Sequence, residues 1–208
     1  MAEGDNGTRT PRLTARGVAT RSRIVQAAVD LMTVKGVNAT TLDDVRAASG
    51  TSKSQLYQYF ADKDALVQAV IERQASGLLE RQDYQLGRLN SIRGLQRWRD
   101  AIVQANALRN GAYGCPIGSL ASELADQDEN ARTALAGHFA TWQSMIAAGL
   151  RRMRESGVLR EDADPAALAT GIMAALQGGY LLAQTTRDVT PMRIALDMAI
   201  DHVRTFAP

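Results

Sequence analysis

Residues 20–70 read TRSRIVQAAVDLMTVKGVNATTLDDVRAASGTSKSQLYQYFADKDALVQAV. Ile24, Ala27, Ala28, Leu31 and Met32 recur at helical spacing, which predicts a helix from about Val18 to Lys35, closed by Gly36. A short helix follows Thr40-Thr41, with Leu42 and Val45 inward, and ends at Ala48-Ser49-Gly50. Ser52 and Gln55 form a Ser-x-x-Gln capping box that opens a third helix, Lys53 to about Phe60. Two short helices joined by Ser49-Gly50-Thr51 fit a helix-turn-helix, with Gly50 supplying the left-handed backbone of the turn. Leu56 and Phe60, four apart, bury one face of the third helix and leave Lys53, Ser54, Gln55, Tyr57, Gln58 and Tyr59 on its other faces. Two tyrosines there suit a helix in a DNA major groove, where hydroxyls reach phosphates and Gln or Lys reaches base edges. On spacing alone, an αα-hairpin inside a helical bundle stays open beside that reading.

The rest of the chain is also helical. Asp62 caps a longer fourth helix with Leu66, Val67, Val70, Ile71 and Leu78 on its apolar face. Residues 82–94, with Gly87 and Gly94, contain its end, and a helix near 92–109 carries Leu95, Trp98, Ile102 and Val103. Gly111 to Pro116 breaks the pattern before a short helix at about 117–125. Asp126-x-x-Glu129 reads as a capping box for a long helix to about Arg154, with Leu135, Phe139, Trp142, Met145, Ile146, Leu150 and Met153 inward, ended by Ser156-Gly157. Asp164-Pro165 and Thr190-Pro191 each open one further helix. Alanine is present 34 times and no alternating strand pattern of useful length occurs, so the fold class is all-α, with about nine helices and no internal repeat.

Of 208 residues, 45% are hydrophobic and 22% charged, the composition of an ordinary globular chain. One cysteine excludes an intramolecular disulfide and favours a reducing compartment, so a cytoplasmic location is expected. Net charge is +2, but residues 1–60 hold eight Lys/Arg against five Asp/Glu and the remainder is slightly acidic. A basic first quarter points to a polyanion for one end. Residues 1–16 have no apolar core and read as a disordered basic arm. Residues 166–183 are polar only at Thr170 and Gln177 and would span about 27 Å as a helix, near the minimum for a bilayer. Acidic Asp162 and Asp164 before them, and their many Ala and Gly, favour a buried helix and no membrane partner.

Residues 20–70 resemble the DNA-binding domain of tetracycline-repressor (TetR) family regulators. The resemblance rests on Lys35-Gly36, Thr40-Thr41-Leu42, Gly50, Ser52, Leu56-Tyr57-x-Tyr59-Phe60 and Lys63. It implies a DNA-binding domain at 17–65, followed by a ligand-binding and dimerisation domain at 66–208. It also implies roles. Thr41 and Lys63 would hold phosphates, Lys53, Ser54 and Gln55 would open the recognition helix toward bases, and Tyr57, Gln58 and Tyr59 would complete the contact. Arg46 and Thr51 depart from the pattern, which usually has a small residue and an apolar residue there.

Residues after about 71 show no catalytic constellation, no metal-ligand spacing and no phosphate-binding glycine loop, so neither an enzyme nor a cofactor is expected. Cys115 and His138 lack an identifiable third orienting residue. Trp98, Tyr113, Cys115, Phe139, Trp142, Met145, Met173, Gln177 and Tyr180 are the candidates to line an effector pocket, with Tyr113, Gln143, Gln177 and Tyr180 as polar anchors. No charged cluster is evident, so a neutral, mostly apolar effector is expected. Residues 114–121, GCPIGSLA, resemble a segment of one TetR subgroup, and Cys115, with no charged residue within five positions, reads as structural. Gly171, Ala174, Ala175, Gly178 and Gly179, with the last helix, form a candidate dimer face. Together these predict a homodimeric repressor that binds palindromic double-stranded operator DNA and is released by a small molecule. The rival is a constitutive DNA-binding or protein-interaction module whose C-terminal domain only dimerises.

Overall fold

A computed structural model describes residues 14–208, and the expected arm falls outside them as far as residue 13. Among the described residues there are nine α-helices and no strands. They are α1 Ala15–Lys35, α2 Leu42–Ser49, α3 Lys53–Tyr59, α4 Lys63–Leu86, α5 Ile92–Ala107, α6 Pro116–Leu124, α7 Glu129–Glu155, α8 Pro165–Thr186 and α9 Thr190–Arg204.

Caps explain where these helices start, and three differ from expectation. Helix α1 begins at Ala15 because the Thr14 hydroxyl accepts from Gly17 N–H, so Ala15 and Arg16 are helical. Asp128, rather than Asp126, opens α7, because its carboxylate reaches both Asn130 and Ala131 N–H. Asp188 serves α9, accepting from the Thr190 N–H and hydroxyl, so Thr190 is the first helical residue and not the cap. Ser52, Asp62 and Asp164 cap α3, α4 and α8 as expected. Each such cap contributes about 1 kcal/mol.

Helices α1, α2 and α3 form the N-terminal unit, in which α1 packs on both α2 and α4. Helix α4 then runs on against α6 and α7, while α8 lies between α7 and α9. Buried side chains make one continuous apolar cluster, from Ile24 in α1 through Trp142 and Leu150 in α7 to Val203 in α9. Polar ties fix the edges. Arg152 donates to the carbonyls of Leu86 and Leu89, holding the α4–α5 loop on α7. His138 on α7 meets Glu72 on α4 at 3.0 Å, and Arg99 on α5 pairs with Asp197 on α9.

Helix α8 is the one described helix long and apolar enough to cross a membrane, with mean hydropathy 1.4. Its packing against α7 and α9 accounts for one side of it. The other side is bare. Gly171, Ala174, Gly178, Leu181 and Leu182 are exposed, next to Ile194 and Met198 of α9. Gly179 belongs to the inner side, against Met192, so the small-residue stripe predicted from the sequence divides between two faces.

Leu150 is wholly buried where α7 enters the core. Leu150→Ala is predicted to destabilise the fold by about 2–5 kcal/mol. Urea unfolding at fixed protein concentration measures this, with the slope unchanged and the midpoint lowered.

Candidate nucleic-acid interface and ligand cleft

Gly50, at φ 63°, turns the chain between α2 and α3, and Thr51 N–H returns to the Arg46 carbonyl at 3.2 Å. Arg23 of α1 donates to the Ser49 carbonyl at 3.0 Å, tying α1 to the end of α2. The two departures from the family pattern are both accommodated. Thr51 is buried, but its hydroxyl meets that of Ser49 at 2.8 Å, so neither is left unpaired. Arg46 turns outward and pairs with Asp43, 3.1 Å away.

Leu56 and Phe60 are buried, and Arg21 stacks over the Phe60 ring at 5.1 Å. That anchors α3 and presents Lys53, Ser54, Gln55, Tyr57 and Gln58 together at the surface, with Tyr59 half-buried beside them. Lys53 lies 5.9 Å from the centre of the Tyr57 ring. Gln55 and Ser52 complete the reciprocal cap, with the Gln55 amide oxygen accepting from Ser52 N–H at 3.0 Å. The Gln55 Nε2 donors are not used in that cap. Lys63 donates to the Asn38 carbonyl at 3.3 Å on the same side. Thr41 caps α2 in a box with Asp44 that the sequence reading missed, although Thr-x-x-Asp is visible in residues 41–44. The Thr41 backbone N–H, then its hydroxyl, hold the exposed Asp44 carboxyl below its usual pKa.

A cleft of about 1090 Å³ opens between this N-terminal unit and the rest of the chain. Its walls come from the end of α1, from α4, α5 and α6, and from α8. Of the predicted pocket residues, it gathers Tyr113 and Tyr180. Trp98, Trp142, Cys115 and Met173 are buried in the core, and Trp98 donates its indole N–H to Gln82 at 2.8 Å. Phe139 and Met145 are half-buried on α7 and not among the lining residues, Gln143 bonds Thr170, and Gln177 lies 3.6 Å from the Met173 sulfur.

The lining departs from the apolar, uncharged pocket expected. Gln74, Arg81, Gln82 and Gln85 of α4 face Asn106, Arg109 and Glu123. These residues lie on separate helices, so the chain order scatters them; only the α4 set, at helical spacing, leaves a trace in the sequence. Tyr113, at φ 67°, is in the left-handed region that non-glycine residues seldom occupy, which swings its half-exposed ring toward the cleft mouth. Burial raises the Tyr180 hydroxyl pKa, with the Cys115 thiol adding to the rise and Arg81 and Arg109 opposing it.

Glu123 joins the two halves. Its carboxylate accepts from the Val37 N–H at 2.5 Å, 86 residues earlier in the chain. Gly36, at φ 83°, allows this approach, because a Cβ there would fall on the Glu123 carboxylate. Elsewhere, Cys115 and His138 keep different partners, Gln177 and Glu72. Among the described residues no group of three or more His, Cys, Asp or Glu is placed to hold a metal.

Comparisons with known proteins agree with this geometry. Residues 24–70 match the family model for bacterial regulatory proteins of the tetR family, and residues 91–198 match the LmrA/YxaF-like transcriptional regulator C-terminal domain. The chain is 31% identical to an HTH-type transcriptional regulator in the lacX 3′ region of Lactococcus lactis subsp. lactis, covering 86% of this chain and 90% of that protein. It is 25% identical to the HTH-type transcriptional repressor DhaR of a Mycobacterium species (strain GP1), covering 83% and 86% respectively. The crystal structure of a regulatory protein TetR from Rhodobacter sphaeroides superposes with a TM-score of 0.78 at 25% identity, over 88% of this chain and 98% of that one.

Burial pushes the Cys115 thiol pKa up, only partly offset by Gly118 N–H and Gln177. An acid with a raised pKa carries less thiolate at any given pH, so the folded protein should react negligibly with a disulfide reagent at mildly alkaline pH. Reaction with one thiol per chain should appear on unfolding in guanidinium; fast labelling of folded protein would show an accessible thiolate.

Proposed function

The chain belongs to the TetR family of bacterial transcriptional regulators, and from that premise we propose that it is a cytoplasmic repressor acting as a homodimer on a palindromic operator. The α2–turn–α3 unit binds DNA, with α3 in the major groove. Lys53, Ser54 and Gln55 face base edges, and Gln55 can pair bidentately with an adenine through its amide. Thr41, Tyr57, Gln58, Tyr59 and Lys63 fix the register on phosphates. Residues 17–65 act as the DNA-binding unit and residues 66–208 as the ligand-binding and dimerisation unit.

The bare apolar side of α8 and α9 supports dimerisation. Leu181, Leu182, Ile194 and Met198 are large, exposed and contiguous with Gly171, Ala174 and Gly178. A second copy related by a two-fold axis would cover them in an isologous four-helix bundle and set two α3 helices against successive major grooves.

Release by a small molecule is supported by one observation above the rest: two of the cleft's walls, the end of α1 and α4, are elements that carry the DNA-binding unit. Val29 to Val37 of α1 and its following turn line it, α4 crosses it, and Glu123 grips Val37 from the far wall. A molecule seated there pushes directly on α1, α4 and α6 and favours an arrangement in which the two α3 helices no longer match the groove spacing. By linkage, operator DNA weakens the molecule's binding by the same factor. The filled bundle required by the constitutive reading has no need of such a cleft. The relatives named above are regulators, and the site residues likewise suit binding and not catalysis.

Fluorescence anisotropy on DNA from upstream of this protein's own gene, against a scrambled duplex at two salt concentrations, tests the reading. Selective binding that saturates at two chains per site is expected. Gln55→Ala should cost about 1–3 kcal/mol on the selective duplex and little on the scrambled one. Equal binding to both, lost together as salt rises, would leave only phosphate attraction and contradict the reading.

A further inference from the structure

The cleft holds a buried acceptor that its own walls leave unsatisfied and two exposed guanidiniums at its surface. Asn106 is 6% exposed and lines the cleft, yet its Oδ1 has no hydrogen-bond partner among the described residues. A buried amide oxygen without a donor is destabilising, and a ligand hydroxyl or N–H would remove that cost. The guanidiniums supply positive charge. Arg81 of α4 and Arg109, just beyond α5, both line the cleft, and neither joins an ion pair among the described residues. Tyr180 lines the same cleft as both. Of the cleft's other charges, Asp30 accepts from the Gln26 amide, Glu123 accepts from Val37 N–H, and Lys35 pairs with Asp44 at 3.6 Å. Between these groups lie Leu78, Ile102 and Leu120.

We propose that the cleft takes an amphipathic organic acid: a carboxylate facing Arg81 and Arg109, an apolar body against Leu78, Ile102 and Leu120, and a hydroxyl or N–H that donates to Asn106. This rests on the ligand-responsive reading given above and replaces the neutral, mostly apolar effector expected from the sequence. Specificity follows from the mismatch penalties. An amide or ester of the same shape leaves both guanidiniums without a counter-charge, and a pure fatty chain leaves Asn106 Oδ1 unpaired.

Two fluorescent probes of nearly equal size separate the contributions. 1-Anilinonaphthalene-8-sulfonate is anionic and carries an N–H; N-phenyl-1-naphthylamine keeps the N–H and apolar body but is neutral. Full-length protein is titrated with each. The proposal predicts one anionic probe per chain, bound at least about tenfold more tightly than the neutral one. Arg81→Gln/Arg109→Gln should abolish that preference while leaving the neutral probe's affinity unchanged, and Arg109→Gln alone, on an exposed loop, should reduce it. Arg73→Gln/Arg88→Gln removes the same charge outside the cleft and should change nothing. The proposal is overturned if the neutral probe binds as tightly, if the preference survives Arg81→Gln/Arg109→Gln, or if the outside pair abolishes it equally. Operator binding is measured on the same samples. Its absence from wild-type protein would count against the regulator reading, whereas intact operator binding without anion preference would count against this proposal alone.

Discussion

Helix α4 is a single uninterrupted rod, and the rest of the architecture is arranged around that constraint. It runs from the Asp62 cap to Leu86, 24 residues and so about 36 Å. Its first turn joins the N-terminal unit, where Lys63 donates to the Asn38 carbonyl. Its middle and end, through Gln74, Arg81, Gln82 and Gln85, form one wall of the cleft. A continuous helix keeps its hydrogen bonds only by moving as a body. A displacement at Gln82 is therefore carried to Lys63, and with it to α1, which packs on the same rod and on α2. Glu123 adds a second link, from α6 to the turn after α1, and the positive φ of Gly36 is what lets the two chain segments come so near.

The same constraint explains why the apolar cluster is continuous. A helix shared by two units must be buried by both, and Leu66, Val67, Val70, Ile71, Ala75, Leu78 and Leu86 are buried along its whole length. Gln74, Arg81, Gln82 and Gln85 form the strip of α4 that faces the cleft, while Glu72 on another side of the helix meets His138 of α7. The exposed side of α8 and α9 is the opposite case, an apolar surface that nothing among the described residues covers. Large patches of this kind mark interaction surfaces.

The helix-turn-helix was legible in the sequence because its determinants are local. Gly50, the Ser52–Gln55 box and the Leu56–Phe60 pair act within a dozen residues, and spacing exposes them. Cap positions were less legible because neighbouring acceptors compete: Asp128 and not Asp126 reaches the first turn of α7, and Asp188 accepts from Thr190 itself. The cleft was mostly illegible. Its arginines, glutamines and Asn106 come from separate helices, and large aromatics such as Trp98 and Trp142, which look like pocket lining in one dimension, are consumed by the core. The Glu123–Val37 contact spans 86 residues and leaves no periodic trace.

Hydrogen exchange followed by mass spectrometry, with operator DNA and with a scrambled duplex, tests most directly whether DNA-binding unit and cleft form one mechanical body. If α4 and Glu123 couple them, operator binding slows exchange not only across residues 41–63 but also at the Gly36–Val37 turn, along residues 74–86 and in the loop after α5. Protection confined to residues 41–63, with the cleft exchanging as in the scrambled control, would contradict the account.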